Sequence, residues 1–269
     1  TLDTASTYLA AGLDPERCTL FVQSHLPQHC QLAVILSNFI PVSYLFRMTQ
    51  YKEKAGKQAQ GSANAGLLYY PVLMASDILL YHPQFVPVGD DQDQHVELAR
   101  DIASFFNRRF GQTFTLPKAL HTKAPRVMSL LDPAKKMSKT LGGDHCLNLD
   151  DPPAEITRKL KRAVTDTGDG SAAGAKNLLA LLENFADAAV VKKFSAAAAA
   201  KTLRYAELKT TLADAIAAHL EPFQRRKAEL SANPDRLSAI LADGARRASR
   251  VADQTLQAVR SKIGLGSRP

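Results

Sequence analysis

Four residues, Asp150-Asp151-Pro152-Pro153, divide this chain into two stretches of different character. Before them, short β-favouring runs alternate with segments of helical spacing, the pattern of an α/β domain built on a parallel sheet. After them, Ala-, Leu- and Lys/Arg-rich segments with helical spacing continue to the end, broken by the glycine-rich stretch 168–174 and by Pro222, Pro234 and Gly244. The expected architecture is therefore a domain over residues 1–150 and an all-α helical region over 151–269.

Charge follows the same division. Residues 1–154 hold 14 Lys+Arg against 14 Asp+Glu, whereas 155–269 hold 20 against 12, so the whole formal charge of +8 lies in the second part. That asymmetry suits a polyanion partner, although basic helices that are merely soluble would give the same count. Arg246, Arg247 and Arg250 share one helix face and Arg225-Arg226-Lys227 makes a second cluster, both suited to backbone phosphates rather than base edges. The three cysteines, Cys18, Cys30 and Cys146, form no CxxC pair and read as reduced, buried structural thiols. No segment approaches eighteen uninterrupted apolar residues and the start lacks a secretion-signal pattern, so no membrane partner and a cytoplasmic location are expected. Of the seven histidines, His25 and His29 stand four apart in His25-Leu26-Pro27-Gln28-His29, but none shows the HExxH pattern, and no metal-ligand set is predicted from that pair or from His145-Cys146.

Along the chain, TASTYLAAG predicts a helix stopped at Gly12, and Thr19–Gln23 a buried strand whose end meets a functional loop at Ser24-His25-Leu26-Pro27. Gln28 to Met48 is a long amphipathic segment, and the polar stretch Thr49 to Asn64 reads as a flexible connection. Tyr70–Tyr81 is predicted as a helix with Pro71 in its first turn. On it, Tyr70, Met74 and Asp77 stand at i, i+4 and i+7, which places a hydroxyl, a thioether and a carboxylate on one side. An ionised aspartate amid apolar neighbours needs a partner, either within the core or as acceptor for a ligand N–H. Phe85–Gly89 then forms a strand, and Asp90-Asp91-Gln92 opens a helix. Ligands of open parallel sheets sit at such carboxyl ends. The two acids are N-caps or contacts to a ribose or amino group. After the breaker-rich loop 111–125, the apolar run 126–131 reads as the last strand of the sheet. It delivers Asp132–Thr140, DPAKKMSKT, a mobile lysine-rich loop whose Lys136 and Lys139 have the reach to close on a phosphate chain.

KMSKT at 136–140 resembles the KMSKS loop of class I aminoacyl-tRNA synthetases. Joined to RMTQYKEK at 47–54, AGLLYYPVLMASDILLY at 65–81, VPVGDDQDQHVELARDI at 86–102, RVMSLLDPAKKMSKT at 126–140 and KRAVTDTGDG at 161–170, it makes the chain resemble the bacterial-type tryptophanyl-tRNA synthetases. The likeness runs nearly end to end and is strongest across 19–170. It implies a Rossmann-like catalytic domain followed by an α-helical domain for the tRNA anticodon region, in a homodimer. By the matched motifs, Asp77 accepts the indole N–H, Met74, Ile78 and Val88 line the ring pocket, and Tyr70 and Gln92 hold the α-amino group. Gly89 and Asp91 belong to the ribose-contacting turn, and the backbone of Val127 and Met128 touches adenine. Lys136 and Lys139 act on the pyrophosphate, with Lys54 as a further phosphate lysine.

The implied reaction is activation of L-tryptophan by ATP, with magnesium on the leaving pyrophosphate, and transfer of tryptophan to tRNA(Trp). No protein nucleophile is needed; catalysis is positioning plus stabilisation of developing charge. Thr140 stands for the usual serine and GDDQ for the commoner GEDQ, both keeping the chemical group. The family's TGxxHxGN segment is not found, so the chain is expected to be incomplete at its N-terminus. A tyrosine-specific sister enzyme, a non-catalytic RNA-binding relative and a nucleotidyltransferase without tRNA are the alternative functions.

Overall fold

The computed structural model describes residues 1–56, 63–121, 127–165 and 173–266, with the side chain of Lys54 outside the description. The chain forms two compact units, one comprising Thr1, Asp14–Lys123 and Asp235–Pro269, the other Leu2–Leu13 and Ala124–Pro234. The break in space thus differs from the expected 150/151 boundary. The segment carrying the lysine loop joins the second unit, and the last helix joins the first.

In the first unit, α2 (Gln28–Ser37), α3 (Val42–Phe46) and α4 (Thr49–Gly56) precede α5 (Ala65–Leu79), and α6 (Asp93–Phe110) lies between strands β1 (Phe85–Pro87) and β2 (Lys118–Leu120). The strands pair in parallel, Val86 opposite Ala119, joined by the α6 crossover that parallel strands require. Leu32 and Leu36 of α2, Val72 and Leu79 of α5, and Ile102 and Phe106 of α6 are fully buried in one core. The final helix (Pro234–Lys262, α11 below) adds Leu256 and Val259 to it.

Several elements depart from expectation. Thr19–Gln23 is not a strand: Val22 is extended, but no strand among the described residues pairs with it, and Gln23–His25 turns instead into a short 3-10 helix. The segment from Gln28 to Met48 is two helices, because Pro41 takes an extended conformation between them. Thr49–Gly56 of the supposed connection is helical. Helix α5 begins five residues before Tyr70, where the Asn64 side chain accepts the Leu67 N–H, so Pro71 lies inside the helix rather than in its first turn. Extensive burial of α5 outweighs the missing Pro71 donor.

The second unit opens with α1 (Leu2–Ala10), which ends before Gly12 at φ +107° as predicted. It then takes α7 (Pro153–Arg162), α8 (Ala173–Phe185), α9 (Ala188–Ala199) and α10 (Tyr205–Ser231). Leu160, Leu182, Leu208 and Leu212 are fully buried in its core. Pro222 does not end α10; it is exposed, and burial of Ile216 and Leu220 on one side and Lys227 on the other carries the helix through. Gly244 likewise lies inside α11 (Pro234–Lys262), where a Cβ would stand 1.9 Å from the Leu20 carbonyl oxygen. It marks a close packing contact and not a break. The Asp150–Pro153 tetrad is a clasp. Lys227 meets Asp150 at 2.8 Å and Asp3 at 2.9 Å, buried Lys159 meets Asp151 at 2.6 Å, and Gln224 donates to the carbonyls of Leu149 and Asp151.

The cysteines are free, with Cys146 buried as expected, Cys18 partly covered, but Cys30 exposed. Among the described residues no helix is long and apolar enough to cross a membrane. The KRAVTDTGDG motif lies outside the described residues from position 166 onward.

Candidate active site

Asp77, in the last turns of α5, carries the charge that the apolar helix has to accommodate. Both of its oxygens are held: Gln23 Nε2 donates to Oδ2 at 2.8 Å, and His29 Nδ1 stands 2.6 Å from Oδ1. The carboxylate side chain remains 32% exposed while the imidazole is 4% exposed, so Asp77 keeps an open edge and His29 backs it from the core. His29 is fixed in turn. Its Nε2 lies 2.9 Å from the Tyr81 hydroxyl, and its carbonyl accepts from Ser76 Oγ at 2.7 Å. Phe21 completes the group, its ring 5.9 Å from His29 and 5.8 Å from Tyr81. Burial, helped by the Asp77 charge, pushes the Tyr81 phenol up to about 12, so it stays a protonated donor at neutral pH.

The neighbouring residues of the predicted pocket occupy the same unit. Tyr70 is half-buried with its hydroxyl 3.0 Å from His95 Nε2, tying α5 to the start of α6, and burial raises its phenol above the ordinary value. Met74 is partly buried against the core, whereas Ile78 is buried within it. Val88 N–H donates to Leu120 O just past β1. The GDDQ segment forms a 3-10 turn before α6 in which neither Asp90 nor Asp91 caps the helix with its side chain. Asp91 instead accepts from Gln92 Nε2 at 2.8 Å, and a Cβ at Gly89 would come within 2.9 Å of Asp91 Oδ1. Gly89 thus leaves room for the Asp91 side chain to fold back over the turn, although that exposed carboxylate is free to swing aside from a Cβ. Asp90 and Asp93 both meet His121, at 3.3 and 3.1 Å.

The lysine segment is more ordered than a plain loop, and the run before it is not a sheet strand. Val127–Met137 closes on itself: Met128 and Lys136 form an antiparallel bridge, flanked by Ser129 N–H to Lys135 O at 2.9 Å and Met137 N–H to Val127 O at 3.0 Å. The 128/136 pair is thus non-hydrogen-bonded, so the polar groups of Met128 turn away from the hairpin, and its carbonyl takes Asn177 Nδ2 at 3.1 Å. Buried Ser129 pins the turn. Its oxygen accepts the N–H groups of Leu131 and Asp132, which leaves its hydroxyl proton for His145 Nδ1 at 2.9 Å.

The three lysines are not equivalent. Lys135 pairs with Asp132 at 2.9 Å; exposed Lys136 and Lys139 have no ion pair with any described residue. Two cations without an ion pair, Lys136 on the braced hairpin and Lys139 in the 3-10 turn just past it, suit a polyphosphate. Lys54 lies on α4 with its side chain outside the description. Among the described residues no group of three His, Cys, Asp or Glu side chains is placed to hold a metal. The structure therefore collects Tyr70, Met74, Asp77, Ile78, Val88, Gly89, Asp91 and Gln92 in the first unit, and Val127, Met128, Lys136 and Lys139 in the second.

Sequence reasoning found Asp77 but not its supports. Gln23 and His29 lie 54 and 48 residues upstream, and His29 sits in what read only as an amphipathic helix. The one available signal was Gln23, the polar residue that closes the 19–23 run just before the expected functional loop at 24–27. Of the basic clusters, Arg247 is spent on the carbonyls of Pro15 and Cys18, and Lys227 on two aspartates. Arg225, Arg226, Arg246 and Arg250 remain exposed.

Residues 1–221 match the family described as tRNA synthetases class I (W and Y). The chain is 42% identical to tryptophan–tRNA ligase 2 of Streptomyces avermitilis, over 97% of this chain and 79% of that protein. Its fold matches tryptophanyl-tRNA synthetase from Campylobacter jejuni complexed with ADP and tryptophan with a TM-score of 0.86 and 32% identity, covering 98% of this chain and 82% of the other. For the enzyme from Mycoplasma pneumoniae the TM-score is 0.81 and the identity 34%, over 99% and 82% of the two chains. Tyrosyl-tRNA synthetases from Aeropyrum pernix and Archaeoglobus fulgidus, at 19% and 20% identity, share the fold. With the parallel α/β core, the helical unit and these relatives together, the chain belongs to the class I tRNA synthetases (W and Y), on their bacterial-type tryptophanyl branch.

Proposed function

We propose that this chain is a tryptophan–tRNA ligase that activates L-tryptophan with ATP and esterifies the adenylate to tRNA(Trp). The observation that carries the reading is Asp77, a carboxylate fixed at both oxygens yet open at one edge, next to the thioether of Met74 on α5. Such an acceptor answers an indole N–H, while Met74, Ile78 and Val88 supply apolar surface for the ring. Tyr70 and Gln92 take the α-amino group, Gly89 and Asp91 the ribose, and the backbone of Val127 and Met128 the adenine.

The chemistry asks little of the protein beyond placement. The tryptophan carboxylate attacks the α-phosphorus and expels pyrophosphate, whose growing charge is met by the unpaired Lys136 and Lys139, with Lys54 as a further contact. Magnesium enters on the ATP phosphates as part of the substrate, since Mg2+ is commonly held by phosphate oxygens and water rather than by an all-protein cage. Exposed Arg225, Arg226, Arg246 and Arg250 are the candidates for the tRNA backbone. A homodimer fits the exposed Val34, Val42 and Phe46 on α2 and α3, and the location is cytoplasmic.

Amino-acid-dependent ATP–pyrophosphate exchange tests this. Exchange with tryptophan is expected to exceed that with tyrosine or phenylalanine by at least about a hundredfold, the range a site built to hydrogen-bond one ring group can enforce. Exchange with tyrosine and none with tryptophan would sink the assignment.

A further inference from the structure

A carboxylate selects a ring N–H only if its free lone pairs stay aimed at one place, and the side chain of Asp77 has torsional freedom of its own. The hydrogen-bond chain Tyr81–His29–Asp77 removes that freedom. A 2.6 Å separation between His29 Nδ1 and Asp77 Oδ1 requires a proton between them. The Tyr81 phenol oxygen lies 2.9 Å from Nε2, in reach to give its hydrogen there. With Tyr81 as that donor, Nδ1 carries the proton shared with Asp77 and Nε2 accepts. The orientation of His29 is held by the bonds at both ring nitrogens and by packing in a triad with Phe21 and Tyr81, ring centroids 5.7 to 5.9 Å apart, while Ser76 Oγ fixes its backbone carbonyl at 2.7 Å.

We propose that His29 is a positioning residue which, locked as the Nδ1–H tautomer by Tyr81, aims the remaining lone pairs of Asp77 at a heteroaromatic N–H of the amino-acid substrate. The inference rests on Asp77 being the indole acceptor. A purely structural His29 would be a satisfied core histidine whose loss weakens every aromatic ligand alike. A positioning His29 matters only for ligands that present an N–H.

The test compares dissociation constants of the protein for L-tryptophan and for L-3-(benzothiophen-3-yl)alanine, in which sulfur replaces the ring N–H. The wild type is expected to prefer tryptophan. His29→Leu should reduce that preference on the order of tenfold, the equivalent of ~1.4 kcal/mol, with analogue affinity nearly unchanged. Tyr81→Phe should act in the same direction, and His29→Asn, whose amide keeps a donor near the Nδ1 position, should restore much of the preference. In the wild type, 15N chemical shifts should report His29 protonated at Nδ1, a readout that needs no variant to fold. A ring protonated only at Nε2, or an unchanged preference in His29→Leu while Asp77→Asn abolishes it, overturns the inference and leaves the Asp77 reading standing. An unchanged preference in Asp77→Asn overturns both.

Discussion

Gly244→Ala is expected to damage the tryptophan half of the site from a helix that does not belong to it. The added Cβ would stand 1.9 Å from the Leu20 carbonyl oxygen and 2.7 Å from its carbon, both backbone atoms that cannot swing aside. Ordinary contact begins near 3.4 Å, so α11 and the 14–27 segment must separate by more than 1 Å. That movement strains the bonds of Arg247 to the carbonyls of Pro15 and Cys18, at 2.8 and 3.1 Å. Overpacking of this kind costs up to ~3 kcal/mol, and alanine returns about 1 kcal/mol of helix propensity, leaving a net loss of about 2 kcal/mol. Urea unfolding should show it as a midpoint lowered by about 1 M at unchanged slope. Because Leu20 adjoins Phe21 and Gln23, tryptophan affinity should fall as well. Gly143→Ala, whose Cβ meets nothing within 4 Å, is the control and should stay within about 0.5 kcal/mol of wild type. A Gly244→Ala protein as stable as wild type would refute the close-packing argument.

Four further outcomes follow from the second unit. Lys139→Ala should lower the activation rate by on the order of a hundredfold with tryptophan affinity unchanged, since its partner charge develops in the transition state; equal loss in both would make the hairpin a ground-state binder. Lys135→Ala, which removes only a pair with Asp132, should leave exchange kinetics within about twofold, and a loss matching that of Lys139→Ala would contradict the distinction between paired and unpaired lysines. Lys159→Met should destabilise the unit by about 3 kcal/mol, because it leaves the buried Asp151 carboxylate without its countercharge, held only by Asn148. Burial alone would raise the Asp151 carboxyl, but hydrogen bonds from Lys159 and Asn148 outweigh it and hold the group below its ordinary value of 3.8. The sign is that of a depressed acid: the contribution is present above pH 3.8 and lost as pH falls through the lower folded value. Acid titration of Asp151→Asn should therefore lose part of the wild-type dependence in that window; an identical curve would refute the clasp.

What the chain disclosed without its structure was local. Tyr70, Met74 and Asp77 share a helix side because their spacing is helical, Gly12 stops a helix, and KMSKT keeps its lysines in register whatever surrounds it. The acidic tetrad was visible as an interruption of regular structure, since it holds two prolines, but it does not divide the two units. Its role as a clasp was not visible, because Gln224 and Lys227 reach it from α10, 73 to 77 residues along the chain, while Lys159 reaches back from the helix that follows it. The same holds for Asp77: its need for partners is a matter of buried charge and can be stated from one helix. His29 and Gln23 become those partners only when α2 and the segment before it are packed on α5. Which lysines are free, and that Gly244 is a contact rather than a break, depend on where other chain segments lie. Periodicity and motif act over a few residues, whereas ion pairing, close approach and the hold on a carboxylate are pairings across tens to hundreds of residues, and those only tertiary packing decides.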